Sequence, residues 1–316
     1  MKQITKYRLT LILILSVLLS SCVFGPRPFK EVIKDWAPHH ETLGTNFVFQ
    51  TVSQPKYVKE TVVYQVDTEM ELAVLAAILF DQGTTLFFIQ DRDFSIAKTY
   101  AYLDAIMIHA FKFSMGTKTY TQGDAVVKTL DYVKIELYND HVSVVNADID
   151  AFIKAKITAT DSTVKKLKAI HDGLILMTQY DTAVLDLNLS QIIDHTPFEA
   201  YGLFENHKAV CSGYAKSFMG IARRLKIPVI TVSSTTMNHA WNLVYTDNAW
   251  QYVDVTFDDP VPDKAGRLLD TYFLLDEHKI TTESSTIKAH VFDSSTDSTL
   301  SAQDYMTFAQ YVFPTN

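Results

Sequence analysis

The chain has 316 residues, 47% hydrophobic and 20% charged, enough to build real cores and long enough for two domains. Its 28 Lys and Arg against 36 Asp and Glu give a formal net charge of −8 at pH 7, which argues against a nucleic-acid partner and a polybasic membrane patch. Two cysteines are too few for a disulfide framework or a cysteine-rich metal site.

The chain opens MKQITKYRLTLILILSVLLSSC. Lys2, Lys6 and Arg8 precede an apolar run from Leu9 to Leu19 and then Ser-Ser-Cys, the layout of a secretory signal. The run is shorter than the ~20 residues of a membrane span. Leu19-Ser20-Ser21-Cys22 resembles the bacterial lipobox, whose cysteine carries lipid and becomes the first mature residue. The competing expectation is an ordinary secretory signal that happens to contain Cys22. Residues 1–21 are thus expected to be a lipoprotein signal peptide, and residues 22–45 the lipid anchor and a tether rich in Pro, Gly and His. Losing the signal removes three positive charges and no negative one, taking the net charge to −11. The expected location is the extracytoplasmic face of the cell membrane, held by the lipid on Cys22 with the acidic body clear of anionic headgroups. With Cys22 so used, Cys211 has no partner within the chain, which suggests intermolecular pairing or a reactive thiol.

Residues 46–150 read as a small α+β domain. Strands are predicted at NFVFQ (46–50), ETVVYQV (60–66), TLFFIQ (85–90) and DYVKIELY (131–138), with helices over Glu69–Phe80 and Ala97–Phe111. No polar constellation in this region suggests chemistry.

From residue 151 to the C-terminus the pattern changes. Over Ser162–Thr178, residues Val164, Leu167, His171, Leu174, Ile175 and Thr178 share one face of a predicted amphipathic helix, with Asp161 or Ser162 as N-cap. His171 lies on the apolar side, where a satisfied core histidine is the expectation over a catalytic one. Cys211 opens the next helix, whose buried stripe is Tyr214, Phe218, Ile221, Ala222 and Leu225 and which ends at Lys226-Ile227-Pro228. A thiol in a first turn sits at the positive end of the helix dipole beside unpaired N–H groups, which favours thiolate and offers donors to an oxyanion. Gly213 removes bulk beside the sulfur.

A thiolate catalyst needs an imidazole, and the imidazole an orienting acceptor. The strands HAWNLVY (239–245) and WQYVDVTF (250–257), joined by a turn at Asp247-Asn248, offer both. An even-numbered hairpin loop pairs residues whose numbers sum to an odd value, so His239 and Asp254 can share a face, with Trp241 opposite Asp254 and His239 diagonal to it. An odd loop or a bulge would send Asp254 to the other face. Singly, Cys211 could be an inert buried thiol, His239 solvated and Asp254 a turn cap; joined in this order they read as functional.

These residues resemble the transglutaminase-like superfamily, of papain-related fold. The matching pieces are VCSGYA around Cys211, the helix end at Ile227-Pro228, NHAWN around His239 and VDVTFDD around Asp254. KLKAIHDGLI (166–175), QYD (179–181), AYGLFENHKAV (200–210) and TYFLL (271–275) are similar to its bacterial branch, so the likeness spans roughly residues 155–290. It implies an α+β catalytic domain with the cysteine at a helix start and an antiparallel sheet. It also implies that Cys211 is the nucleophile, His239 the base and then acid, and Asp254 the residue orienting the imidazole, with Trp241 and Asn242 as support. The Cys211 N–H would form part of an oxyanion hole; its side-chain partner has no clear candidate, and the loop Ser233-Ser234-Thr235 lacks an expected glycine. No cofactor or metal is implied. Asp258, Asp259 and Asp263 fit a solvated turn better than a calcium cage. The expected function is a membrane-anchored cysteine enzyme acting on protein or peptide amides, including cell-wall peptide, through a thioester, by hydrolysis rather than transfer to an amine. The alternatives are an amine-transferring transglutaminase and a non-catalytic binding module.

Overall fold

The computed structural model describes residues 47–50, 61–64, 66–89, 93–122, 125–187, 191–259, 261–264 and 266–314. The expected signal peptide, Cys22 and the tether lie outside them. Strands β1 (Phe47–Gln50), β2 (Thr61–Tyr64), β3 (Leu86–Ile89), β4 (Phe111–Gln122) and β5 (Ala125–Leu137) form a five-stranded sheet in the order β1-β2-β3-β5-β4. Only the β2–β3 pair is parallel, and helix α1 (Glu69–Asp81) makes that crossover. Thr68 caps α1 by accepting from the Glu71 N–H. The helix is apolar on every side, with Leu72 through Leu79 all buried, because sheet, neighbouring helix and C-terminal helix enclose it.

Helix α2 covers Ile96–Asp104, and Phe111 already belongs to β4, so the helix expected to reach Phe111 stops seven residues early. The residues between commit their backbone elsewhere. Thr231 N–H donates to Ala105 O at 2.8 Å, Arg223 Nη1 to Ile106 O at 2.6 Å, and Ala110 N–H to buried Glu199 at 3.1 Å. Those bonds replace the helical ones.

Helix α3 (Val142–Lys156) runs through residues 150 and 151. Helix α4 (Thr163–Met177) starts under the Ser162 cap, and α5 (Ala200–Glu205) leads to α6 (Cys211–Arg224). The two-residue strands β6 (Gln179–Tyr180) and β7 (Lys208–Ala209) pair in parallel beside the start of α6. Strands β8 (Val229–Ser234), β9 (His239–Thr246), β10 (Ala249–Val253) and β11 (Phe273–Leu275) form an antiparallel sheet in the order β11-β10-β9-β8. Helices α7 (Val255–Asp258), α8 (Glu277–Thr281) and α9 (Ala302–Val312) complete the chain. The chain is thus α+β with its cysteine at a helix start beside an antiparallel sheet. Among the described residues, no helix is long and apolar enough to cross a membrane.

This second sheet is buried on both faces, and the strand period of two divides its residues between two cores. Ile230, Val232, Trp241, Leu243 and Tyr252 face α1, α2 and α9, whereas Val229, Val244 and Val253 face α3, α4 and α6. Helix α6 therefore lies within protein rather than on a surface, and residues 213–222 are all buried. Its Lys216 is buried too and meets Asp104 of α2 at 2.8 Å, the pairing a buried ammonium requires.

Candidate active site

Val210 caps α6 without a side-chain hydrogen bond, and Cys211 is the first helical residue. The N–H groups of Gly213 and Tyr214 turn back to Val210 O at 2.9 and 3.2 Å. A Cβ on Gly213 would meet Pro197 O at 2.6 Å and the Ala209 methyl at 2.8 Å. This glycine thus seats the helix start against the 197–209 scaffold, where the sequence suggested space beside the sulfur.

The β9–β10 turn carries Asp247 and Asn248 at φ +50° and +62°, a two-residue hairpin turn with both central residues left-handed. Its register pairs Thr246 with Ala249 and continues to Asn242 with Val253. Asp254 follows on the His239 side, as parity requires, but it is not in a strand as WQYVDVTF suggested. Its Oδ1 accepts the Phe257 N–H at 3.1 Å and starts the helical turn α7. The cap freezes the carboxylate, and Oδ2 turns to His239. The 235–238 turn ahead of His239 lacks glycine; Asn238 takes the left-handed conformation there, at φ +49°.

His239 Nε2 meets Asp254 Oδ2 at 2.6 Å, with both side chains buried. A carboxylate only accepts, so Nε2 carries the proton and Nδ1 is left for the thiol. Burial alone would lower the His239 pKa. The charge and hydrogen bond of Asp254, joined by the hydrogen bond and charge of Cys211, push it up to about 10. Burial works against Asp254 as well, yet His239 and a second imidazole, His290, hold its carboxyl well below the usual carboxylate range. Cys211 is a free thiol at intermediate exposure. The structure thus brings Cys211, His239 and Asp254 together as a linked set.

Trp241 and Asn242 have separate positions. Trp241 lies nearly parallel to the His239 ring, 5.8 Å between centroids and 22° between planes, with Phe257 parallel to the ring at 4.4 Å. Asn242 sits on the other face of β9, where its Nδ2 donates to Ala215 O of α6 at 3.0 Å and to Ile230 O of β8 at 3.4 Å. It ties the histidine's strand to the cysteine's helix.

Two residues escaped the sequence reasoning. Tyr180, at the end of β6, has its phenol against both the backbone N–H and the thiol of Cys211; burial first, then the thiolate charge, push its pKa up to about 12. The QYD match was its only signal. His290, far along the chain, donates Nε2–H to Asp254 Oδ2 at 2.8 Å. No pattern near it suggests a site.

The expected solvated turn at Asp258-Asp259 is instead buried. Asp258 meets His171 Nε2 at 3.1 Å and accepts the Tyr272 N–H at 2.9 Å, and Asp259 accepts the Tyr214 hydroxyl at 2.5 Å. These carboxylates are fixed because they brace α4 and α6; Asp263 alone of the three is exposed. His171 is the satisfied core histidine that its face suggested. Among the described residues, His239, Asp254 and His290 bring three metal-type ligand atoms within 4.8 Å of one another. Both imidazole nitrogens there point at one carboxylate oxygen that accepts from each, which is a hydrogen-bonded array.

The human kyphoscoliosis peptidase is 23% identical over 140 residues, which are 40% of this chain and 20% of that protein. The chain thus spans about a fifth of the curated relative it matches. A solved TGase structure aligns over 54% of this chain and 50% of its own, at 17% identity and a TM-score of 0.32. A candidate cysteine protease from Cytophaga hutchinsonii aligns over 48% of this chain and 67% of its own, at 14% identity and a TM-score of 0.27. The family model described as "Transglutaminase-like superfamily" matches residues 151–255, which hold Cys211, His239 and Asp254, and over this region the chain is similar to that superfamily.

Proposed function

We propose that the protein is a cysteine peptidase or amidase in which Cys211, His239 and Asp254 cleave an amide through a thioester. The observation that carries this reading is one imidazole with Asp254 at 2.6 Å on Nε2 and the Cys211 thiol as its other partner. The thiol proton passes to Nδ1, giving thiolate and imidazolium, and Sγ attacks the carbonyl carbon. The oxyanion that forms meets the Cys211 N–H and the Tyr180 hydroxyl, donors already beside the sulfur. The imidazolium then protonates the leaving amine as the C–N bond breaks, leaving a thioester. Water, deprotonated at Nδ1, attacks that thioester and releases acid and thiol. Asp254 remains ionised throughout and holds the Nε2–H tautomer.

The same reading gives the enzyme a lipid tether at Cys22 and a protein or peptide substrate, cell-wall peptide included, at the extracytoplasmic face of the membrane. Its support is the basic, apolar and Leu-Ser-Ser-Cys order of residues 1–22. The test is mass spectrometry of Cys211 after incubation with peptides and a competing primary amine. An acyl adduct on Cys211 that ends as free acid is expected. An adduct that ends mainly as substituted amide would make the enzyme a cross-linker, and no adduct with any amide substrate would remove the enzymatic reading.

A further inference from the structure

The carboxylate of Asp254 holds two imidazoles, and the mechanism above uses one. His290 reaches it from a strap, residues 288–293, that lies outside the region matched by the family model. The strap is pinned along its length. Lys288 N–H donates to the Tyr272 hydroxyl at 2.6 Å, and His290 N–H to Ile280 O at 2.8 Å. Phe292 packs edge-on against Trp241 and Tyr252. Asp293 then accepts from the N–H and hydroxyl of both Thr235 and Thr236, at 2.7 to 3.0 Å. That turn leads into His239, so one short segment grips both the carboxylate and the approach to the imidazole.

His290 is 2% exposed and surrounded by the rings of Trp241, Phe257, Tyr272 and His239. Its Nε2 lies 2.8 Å from an oxygen that only accepts, so Nε2 carries a proton. Its Nδ1 is buried without a partner. The ring's side-chain hydrogen bond is therefore the one that Nε2–H donates to Asp254. Buried in this cage, His290 is placed as a fixed donor to the Asp254 carboxylate.

We propose that His290 is a positioning residue of the active site, a second N–H donor that locks the Asp254 carboxylate in the orientation the His239 imidazole needs. With Phe257 N–H on Oδ1 and two imidazoles on Oδ2, the carboxylate has one rotamer and one face for His239. The inference rests on the triad reading above. It adds a fourth member that the sequence separates from Asp254 by 36 residues.

The test uses the full-length chain and the rate of iodoacetamide alkylation at Cys211 at pH 6, read by mass spectrometry. His290→Phe fills the aromatic cage and removes the donor; His290→Gln keeps an amide N–H at similar reach. The phenylalanine variant is expected to react roughly tenfold more slowly, as small misplacements of catalytic groups do, and the glutamine variant to recover most of the wild-type rate. Equal rates in wild type and His290→Phe would overturn the positioning role while His239→Ala, if slow, leaves the triad standing. An unchanged rate in His239→Ala would overturn the triad and His290's part with it. Should His290→Phe fail to fold, 15N chemical shifts of the wild-type histidines decide instead: an Nε2–H tautomer at His290 is expected, and an Nδ1–H tautomer would overturn the proposal.

Discussion

His239 stands at the first position of β9 and Asp254 one residue beyond the end of β10, and their side chains meet at 2.6 Å. The hairpin register brings the two together, and the helical cap on Phe257 turns the carboxylate toward the ring. Because the pair is buried, its charge is little screened, and it overcomes the burial that would otherwise keep the imidazole neutral. Asp254→Asn keeps the shape and removes the charge. The His239 pKa should then fall well below about 10, since burial is opposed only by the hydrogen bond and charge of Cys211. Histidine ring NMR across a pH titration reads this directly; an imidazolium that titrates no lower in the variant than in wild type would show that Asp254 is not its partner.

Tyr180 separates the nucleophile from the oxyanion hole as objects of test. Tyr180→Phe removes a donor beside the sulfur but leaves the imidazole and carboxylate untouched. Turnover of an amide or activated ester should fall about 10²-fold, the usual effect of losing one oxyanion donor. Alkylation of Cys211 at pH 6 should stay near wild type, because that reaction forms no oxyanion. Equal loss in both assays would instead mean that the phenol holds the thiol in place.

His171 carries a prediction about stability. It is fully buried between Asp172 at 2.9 Å and Asp258 at 3.1 Å and joins α4 to α7. Burial would lower its pKa, but hydrogen bonds and charge from Asp172 and Asp258 raise it above the usual value. A histidine raised in the fold stabilises in full below its unfolded pKa of ~6.5 and loses that contribution as pH rises through the folded value. His171→Gln should therefore cost on the order of 3 kcal/mol near pH 6 and progressively less toward alkaline pH. Denaturant titrations of wild type and variant at both ends measure the difference. The comparison is needed because His239, also raised, pushes wild-type stability in the same direction. A cost that grows with pH would contradict the buried ion-pair account.

Much of this site was legible because its signals are local. The first residue of α6, the Asp247-Asn248 turn and the two-residue period of the hairpin strands are all properties of neighbouring residues, and parity carried His239 to the side of Asp254. The early end of α2 was not legible, since the 105–110 backbone is bonded to Thr231, Arg223 and Glu199, far along the chain. Asp258 and Asp259 looked like a polar turn because composition cannot show that His171 and Tyr214 wait for them. Tyr180 and His290 share that reason: each reaches the site through a tertiary contact, and only the fold brings them in.

The proposed activation of Cys211 by His239 is tested most directly by the alkylation rate of Cys211 as a function of pH. An ordinary thiol with a pKa of about 8.5 is only ~0.3% thiolate at pH 6, so an unactivated cysteine loses reactivity steeply below pH 8. Wild-type Cys211 is expected to react at pH 6 almost as fast as at pH 8, and His239→Ala to lower the pH 6 rate by about 10²-fold. A wild-type profile that follows an ordinary thiol, unchanged by His239→Ala, would contradict that activation.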